Sequence, residues 1–353
     1  PEQGCEALDT GSDESSNSMN GRNPNDTEYD TSILTFDWDL GDYALTSITG
    51  YREQDEDTLS EYDASSATFL FLDFEQTYEQ FSQELRLAGQ VNDNFEFVAG
   101  LYYWESNYTQ DWFTHELYYT LDLLGALTGV PGGAGYTLNT VGYAEQEQDT
   151  TSYAAFASAD WYVSERWTIT AGLRYTYEEK DFTGSNSVFF ELGEDQPPLT
   201  YTDLSDDWSE VSPKLSVSYD MTEDVMLFAS YAEGFKSGGY FGRNTDFESA
   251  ESYDPEYVDT FELGMKSSWL SNRVIFNASV FASEYDDKQE EVLFETAPGV
   301  VATNVVNAAT VEMAGIDLEL QAQLTAGWSV RASYGYLDAE YDDFVADLNG
   351  DGF

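Results

Sequence analysis

Basic residues are scarce in this sequence: 13 Lys and Arg stand against 68 Asp and Glu, a formal net charge of -55 over 353 residues. Nucleic-acid binding needs a basic surface that displaces counterions from phosphates, so that class is excluded. Docking on anionic lipid through a polybasic patch is excluded on the same ground. Two readings of the acidity remain: a strongly solvated, self-repelling exterior suited to salty surroundings, or loops that collect divalent cations or cationic ligands. Histidine and cysteine occur once each, as His115 and Cys5, so they supply no zinc or transition-metal constellation. Without a candidate base no catalytic triad can be drawn; no catalytic residue, enzyme activity or cofactor is expected. Cys5 stands alone in a Gly/Ser/Asn/Asp-rich segment and decides nothing about redox compartment.

No run of 18 apolar residues exists, so no helix is expected to span a membrane. The apolar stretch at 121–130 is too short and is stopped by Pro131, Gly132 and Gly133; residues 117–127 are expected to form a short helix within a loop. Pro1 opens an acidic stretch without the basic and apolar regions of a secretion signal.

What is abundant is alternation. Trp167, Ile169, Ala171, Leu173, Tyr175 and Tyr177 fall on one face of an extended segment, and Thr168, Thr170, Gly172, Arg174 and Thr176 on the other. Val211, Pro213, Leu215, Val217 and Tyr219 repeat the pattern, as do Trp328, Val330, Ala332, Tyr334 and Tyr336. Each segment has one apolar and one polar wall. About twelve such strands are expected, paired as hairpins: 32–40 with 43–52, 78–88 with 95–106, 152–162 with 167–178, 208–220 with 225–235, 256–268 with 273–285, and 307–324 with 328–339. Within hairpins the turns are short, Gly41-Asp42 being a two-residue turn of the expected chemistry. Between hairpins lie long acidic connections, at 53–77, 107–151, 179–207, 236–255 and 286–306.

Short and long connections alternate without exception, as an up-and-down barrel requires when every second connection lies on the same side of a membrane. Trp161, Trp167, Trp269 and Trp328, with Phe95 and Tyr219, stand beside short turns, where headgroup-level rings belong. The fold expected is therefore all-β: an antiparallel up-and-down transmembrane β-barrel, present as a partial barrel with long extracellular loops. A soluble β-rich surface or adhesion protein is disfavoured by apolar faces pointing outward on every strand. An exported barrel without a secretion signal is expected to be a piece of a longer protein.

The run YAEGFKSGGY at 231–240 resembles the strand-to-loop signature of TonB-dependent outer-membrane receptors. The stretch YDPEYVDTFELGMKSSWLSNRVIFNASVFASEYDDKQ at 253–289 and NAATVEMAGIDLEL at 307–320 resemble that family's following strands. The resemblance implies that residues 1–353 are part of a 22-stranded barrel whose plug domain, TonB box and closing strand lie elsewhere. It implies a Gram-negative outer-membrane location, lipid and lipopolysaccharide around the wall, TonB as energy-coupling partner, and import of scarce nutrients such as ferric siderophores. Import of a glycan fragment or cobalamin, or passive porin-like passage, are the alternatives.

On the polar faces, Glu84, Arg86, Arg174, Lys214, Glu262, Lys266, Glu319 and Arg331 are expected to face the lumen. Lys236, Tyr240, Phe241 and Arg243 combine basic and aromatic chemistry in an acidic exterior and are the candidate contacts for an anionic iron chelate. Asp347, Asn349 and Asp351, before Gly352, reproduce the first half of a calcium-loop pattern.

Overall fold

The computed structural model describes residues 24–61, 71–115, 140–190, 200–242, 250–297 and 300–344. The strands are β1 (Asn25–Asp39), β2 (Tyr43–Glu61), β3 (Phe71–Asn92), β4 (Phe95–His115), β5 (Thr140–Ser164), β6 (Trp167–Phe190), β7 (Thr200–Thr222), β8 (Val225–Lys236), β9 (Gly239–Tyr240), β10 (Ser252–Tyr253), β11 (Glu256–Trp269), β12 (Val274–Ala297), β13 (Val300–Thr325) and β14 (Trp328–Phe344). Twelve of them form one sheet in chain order, while β9 and β10 pair separately, so that β8 lies directly beside β11. Every neighbouring pair is antiparallel. The sheet is open, with β1 and β14 at its two edges. No described helix is long and apolar enough to cross a membrane, which says nothing against strands doing so.

Directly paired residues share a face, so the register fixes which side chains stand together. Ala157↔Leu173↔Pro213 and Leu263↔Val280↔Ile316 lie on one face. Tyr102↔Ala154↔Thr176 lie on the other. Leu173, Leu215, Leu263 and Tyr334 are exposed on the first face, and Arg174 is on the second. The exposed apolar face is the lipid-facing one.

Aromatic belts bound that apolar face. At the short-turn end Trp161 pairs with Phe95, and Trp167 packs on Tyr219 with ring centroids 4.5 Å apart. At the other end Phe81 and Tyr103 are 6.3 Å apart, Tyr103 and Tyr153 5.2 Å, and Tyr231 and Phe261 4.5 Å. From Trp167 to Tyr175 the chain advances roughly 26 Å, enough for a tilted strand to cross the apolar band.

The strands run on well past the limits expected from alternation. The connection expected at 286–306 is strand except for two undescribed residues, and β5 and β6 extend the wall into the stretches expected as loops at 107–151 and 179–207. Above the outer belt apolar and polar residues mix on both faces, so the two-residue hydropathy signal vanishes while the backbone ladder continues. Polar cross-strand pairs hold it there: Asn107 Nδ2 donates to Asp149 at 2.9 Å, and Thr77 and Thr109 share a 2.5 Å bond. The short helix expected at 117–127, and Cys5, lie outside the described residues.

Candidate functional site

The inner face carries most of the cations of the described strands. Arg52, Arg86, Arg174, Lys180, Lys214, Lys236, Lys266 and Arg331 all fall on it by strand register. Arg86 is bonded to Glu84, its Nε donating at 2.8 Å. The Arg174 guanidinium lies 5.5 Å from the Tyr102 ring and 5.8 Å from Phe156, and its Nε donates to Thr176 at 3.0 Å. Lys266 stands 5.6 Å from the Phe228 ring. Glu319 accepts from Asn277 at 3.1 Å and Gln321 at 2.7 Å. Glu262 sits opposite Ser230, Lys214 opposite Gly172 and Arg331 opposite Gln321. The expected lumen residues thus share one face, and the charges of Arg86, Arg174, Lys266 and Glu319 are met by neighbouring carboxylates, hydroxyls, amides and rings within the wall.

Three rings of this face, Phe156, Phe228 and Phe281, lie over cross-strand glycines. A Cβ added at Gly100 would stand 2.5 Å from Phe156, and one at Gly264 or Gly315 would stand 2.4 Å from Phe228 or Phe281. The aromatic edge occupies the space that a side chain would take, which packs the inner wall without a conventional core.

Above the membrane span two features converge on this face. The first is an amide belt. Gln146 Nε2 donates to Gln110 at 2.6 Å, Gln110 Nε2 to Gln76 at 3.1 Å, and Gln76 Nε2 to the Glu56 carboxylate at 2.7 Å. Tyr108 adds its hydroxyl to Gln76 at 3.0 Å. Glu56, Gln76, Gln110 and Gln146 are direct register partners across β2 to β5. The bond from Gln76, then those from Thr58, Asn25 and Gln54, hold the Glu56 carboxyl below its ordinary range.

The second is the described start of the connection between β8 and β11, residues 237–242, which folds inward onto β5, β6 and β7. Tyr240 stacks on Phe182, with centroids 5.1 Å apart and planes 15° from parallel. Gly242 lies so close to the Gln146 amide that an added Cβ would fall 1.2 Å from its oxygen. Of the four candidate chelate contacts, Tyr240 and Phe241 are therefore buried, at 8% and 9% exposure, rather than standing open at a rim. Burial first, then Asp206 and Asp181, pushes the Tyr240 phenol up to about 12. Lys236 is exposed on the inner face at the end of β8. Arg243, Asp347, Asn349 and Asp351 lie outside the described residues.

Sequence reasoning missed the glutamines and Lys180. Parity assigns them to the inner face once the strands are known to continue: Lys180 extends the even series of Arg174, Thr176 and Glu178, and Gln146 that of Ala154 and Phe156.

A family model described as TonB dependent receptor-like, beta-barrel, matches residues 6–352. A ferric-pyoverdine 358 receptor of Pseudomonas putida is 29% identical over 135 residues, covering 38% of this chain and 16% of the relative. A probable TonB-dependent siderophore receptor of Acinetobacter baumannii, PiuA, is 25% identical over 185 residues, covering 50% of this chain and 22% of the relative. The matched part of the chain therefore covers less than a quarter of the length of these relatives. Among solved structures, the ferric yersiniabactin uptake receptor FyuA of Yersinia pestis superposes with a TM-score of 0.70 at 20% identity, over 92% of this chain and 45% of that one.

Proposed function

Because the chain belongs to the TonB-dependent receptor β-barrel family, which places it in the outer membrane of a Gram-negative bacterium, we propose that it forms part of an active importer of ferric siderophore-type iron complexes. The observation that carries the reading is that the relatives sharing its sequence are named as receptors for a ferric siderophore and for siderophores. The inner wall suits the task. It gathers the cations on the side an anionic chelate would pass, and it adds aromatic rings at Tyr102, Phe156 and Phe228. Lys236, Tyr240, Phe241 and Arg243 are the proposed ligand contacts. Asp347, Asn349 and Asp351 are kept as a candidate cation loop. Energy would come from TonB acting on a plug enclosed by this wall, and lipopolysaccharide would surround the apolar face.

The wall itself performs no chemistry in this reading. It holds fixed charges and rings where the chelate passes, so binding needs little reorganisation. Cells lacking the intact receptor, starved for iron, should take up its ferric chelate poorly, and disabling TonB should have the same effect. Unchanged uptake of every iron chelate tested would move the reading to a glycan fragment or cobalamin. Retained uptake without TonB would favour passive passage.

A further inference from the structure

The signature run at 231–240 marks where the β8–β11 connection turns inward. Lys180 meets it there. Its Nζ donates to the Ser237 hydroxyl oxygen at 2.9 Å and to the Gly238 carbonyl at 2.6 Å. It stands 3.2 Å from the Glu178 carboxylate and 5.5 Å from the Trp208 ring. The Ser237 hydroxyl donates in turn to Glu178. Gly238 lies so tightly in this nest that a Cβ would meet the Tyr253 carbonyl at 2.2 Å and Trp208 at 2.5 Å. Two further fasteners close the neck of the connection. Gln289 Nε2 donates to the carbonyls of Ser237 at 2.9 Å and Asp254 at 3.0 Å. Asn307 Nδ2 donates to the Asp254 carbonyl at 2.7 Å, while the Asp254 N–H donates back to its Oδ1 at 2.8 Å.

A connection that needed only to be soluble would have no reason to bury a lysine. Burial strips water from the ammonium and pushes its pKa down, an effect that Glu178 partly offsets. Fixing so long a side chain also sacrifices much rotamer freedom. What the lysine gains beyond its wall neighbours Glu178 and Trp208 is a pair of partners, the Ser237 hydroxyl and the Gly238 carbonyl, that it meets only while the connection is folded in. We propose that Lys180 is a positioning residue: through Ser237 and the Gly238 carbonyl it holds the β8–β11 connection against the inner wall, and so sets where Tyr240 and Phe241 stand in the passage. The proposal rests on the transport reading only for the meaning of the passage; the position of the connection can be read without any ligand.

The test uses the intact receptor in the outer membrane, with Cys5→Ser, a reporter Phe241→Cys and a membrane-impermeant maleimide. In the Lys180 parent the reporter should label slowly. Lys180→Met should raise the rate by about tenfold, as a local opening equilibrium shifts, and Lys180→Arg should restore part of the protection. Ser237→Ala, which removes the hydroxyl bridge and keeps the lysine, should shift the rate in the same direction and serves if Lys180→Met does not assemble. A second reporter, Leu72→Cys, lies buried in the β3 wall at 6% exposure, three strands from Lys180, and should label equally slowly in all of them. A reporter rate in Lys180→Met, or in Ser237→Ala if that variant must serve, within about twofold of the parent would overturn the proposal, since the connection would then be held without the clamp. Parallel acceleration at Leu72→Cys would also overturn it, showing that the wall had loosened. Failure to import any ferric chelate would sink the transport reading and leave these rates unchanged.

Discussion

Adjacent residues on β6 carry opposite physical duties. Leu173 is 54% exposed on the apolar face, whereas Arg174 lies among Tyr102, Phe156 and Thr176 on the inner one. Leu173→Arg moves a charge into hydrocarbon and should lower folding free energy in bilayers by roughly 2–4 kcal/mol. Arg174→Leu should cost less, because its neighbours are rings and a hydroxyl that tolerate the loss. A harmless Leu173→Arg beside a ruinous Arg174→Leu would invert the assignment of faces. Backbone strain also sits at single residues. Leu270, Ser271 and Asn272 follow one another with φ of 56°, 56° and 64° in the β11–β12 turn. Left-handed conformation costs a non-glycine residue roughly 1–2 kcal/mol. Asn272 is the best suited of the three, and its Oδ1 also accepts from Ser268 at 2.5 Å. Ser271→Gly should therefore stabilise the barrel by about 0.5–1 kcal/mol after the added unfolded-state entropy is counted. A lower urea midpoint for that variant would show that the turn is not held in this conformation.

At the scale of strands the acidity becomes a pattern. Glu233, Asp259, Glu284, Glu312 and Glu340 are consecutive direct partners across β8, β11, β12, β13 and β14. All five are exposed on the outer face, just beyond the Tyr231–Phe261 belt, and among the described strand residues no cation is placed on that face within this row. Like charges directly opposite one another destabilise a sheet. Glu284→Gln, at the middle of the row, should thus raise stability by about 0.5–1 kcal/mol at low salt, with the gain shrinking toward 1 M NaCl as screening replaces it. Loss of stability, or a gain indifferent to salt, would mean that the row is neutralised by something else. This row was hidden in the sequence because register, not composition, assembles it. The bilayer-crossing parts of the strands were legible, since Trp167 to Tyr177 must alternate when one wall meets lipid. Their upper halves were not, because Gln146 or Lys180 sits among polar neighbours on both faces. The inward fold of the β8–β11 connection was equally invisible: nothing local in GFKSGGY says that Gly238 will lie on Trp208 and Tyr253, which are separated from it in sequence.

For the whole molecule the open question of form is what lies beside β1 and β14. Each edge strand presents a row of backbone donors and acceptors, and in hydrocarbon every unpaired group costs several kcal/mol. The edges must therefore be covered, either by each other or by further strands. Direct closure would make a twelve-stranded barrel, whose interior narrows with strand number, and the inward-folded β9–β10 pair would then occupy much of it. The solved ferric yersiniabactin receptor shares its fold with this chain over only 45% of its own length, which leaves room for additional strands between the edges. Leu34 on β1 and Tyr334 on β14 both point outward by register. In the intact receptor with Cys5→Ser, cysteines at these two positions should not form a disulfide under mild oxidant, whereas the directly paired Leu263 and Val280, converted to cysteine, should do so readily. An efficient Leu34–Tyr334 crosslink would show that β1 and β14 close on each other, and the passage would then be too narrow for a bulky ferric chelate beside the folded-in connection.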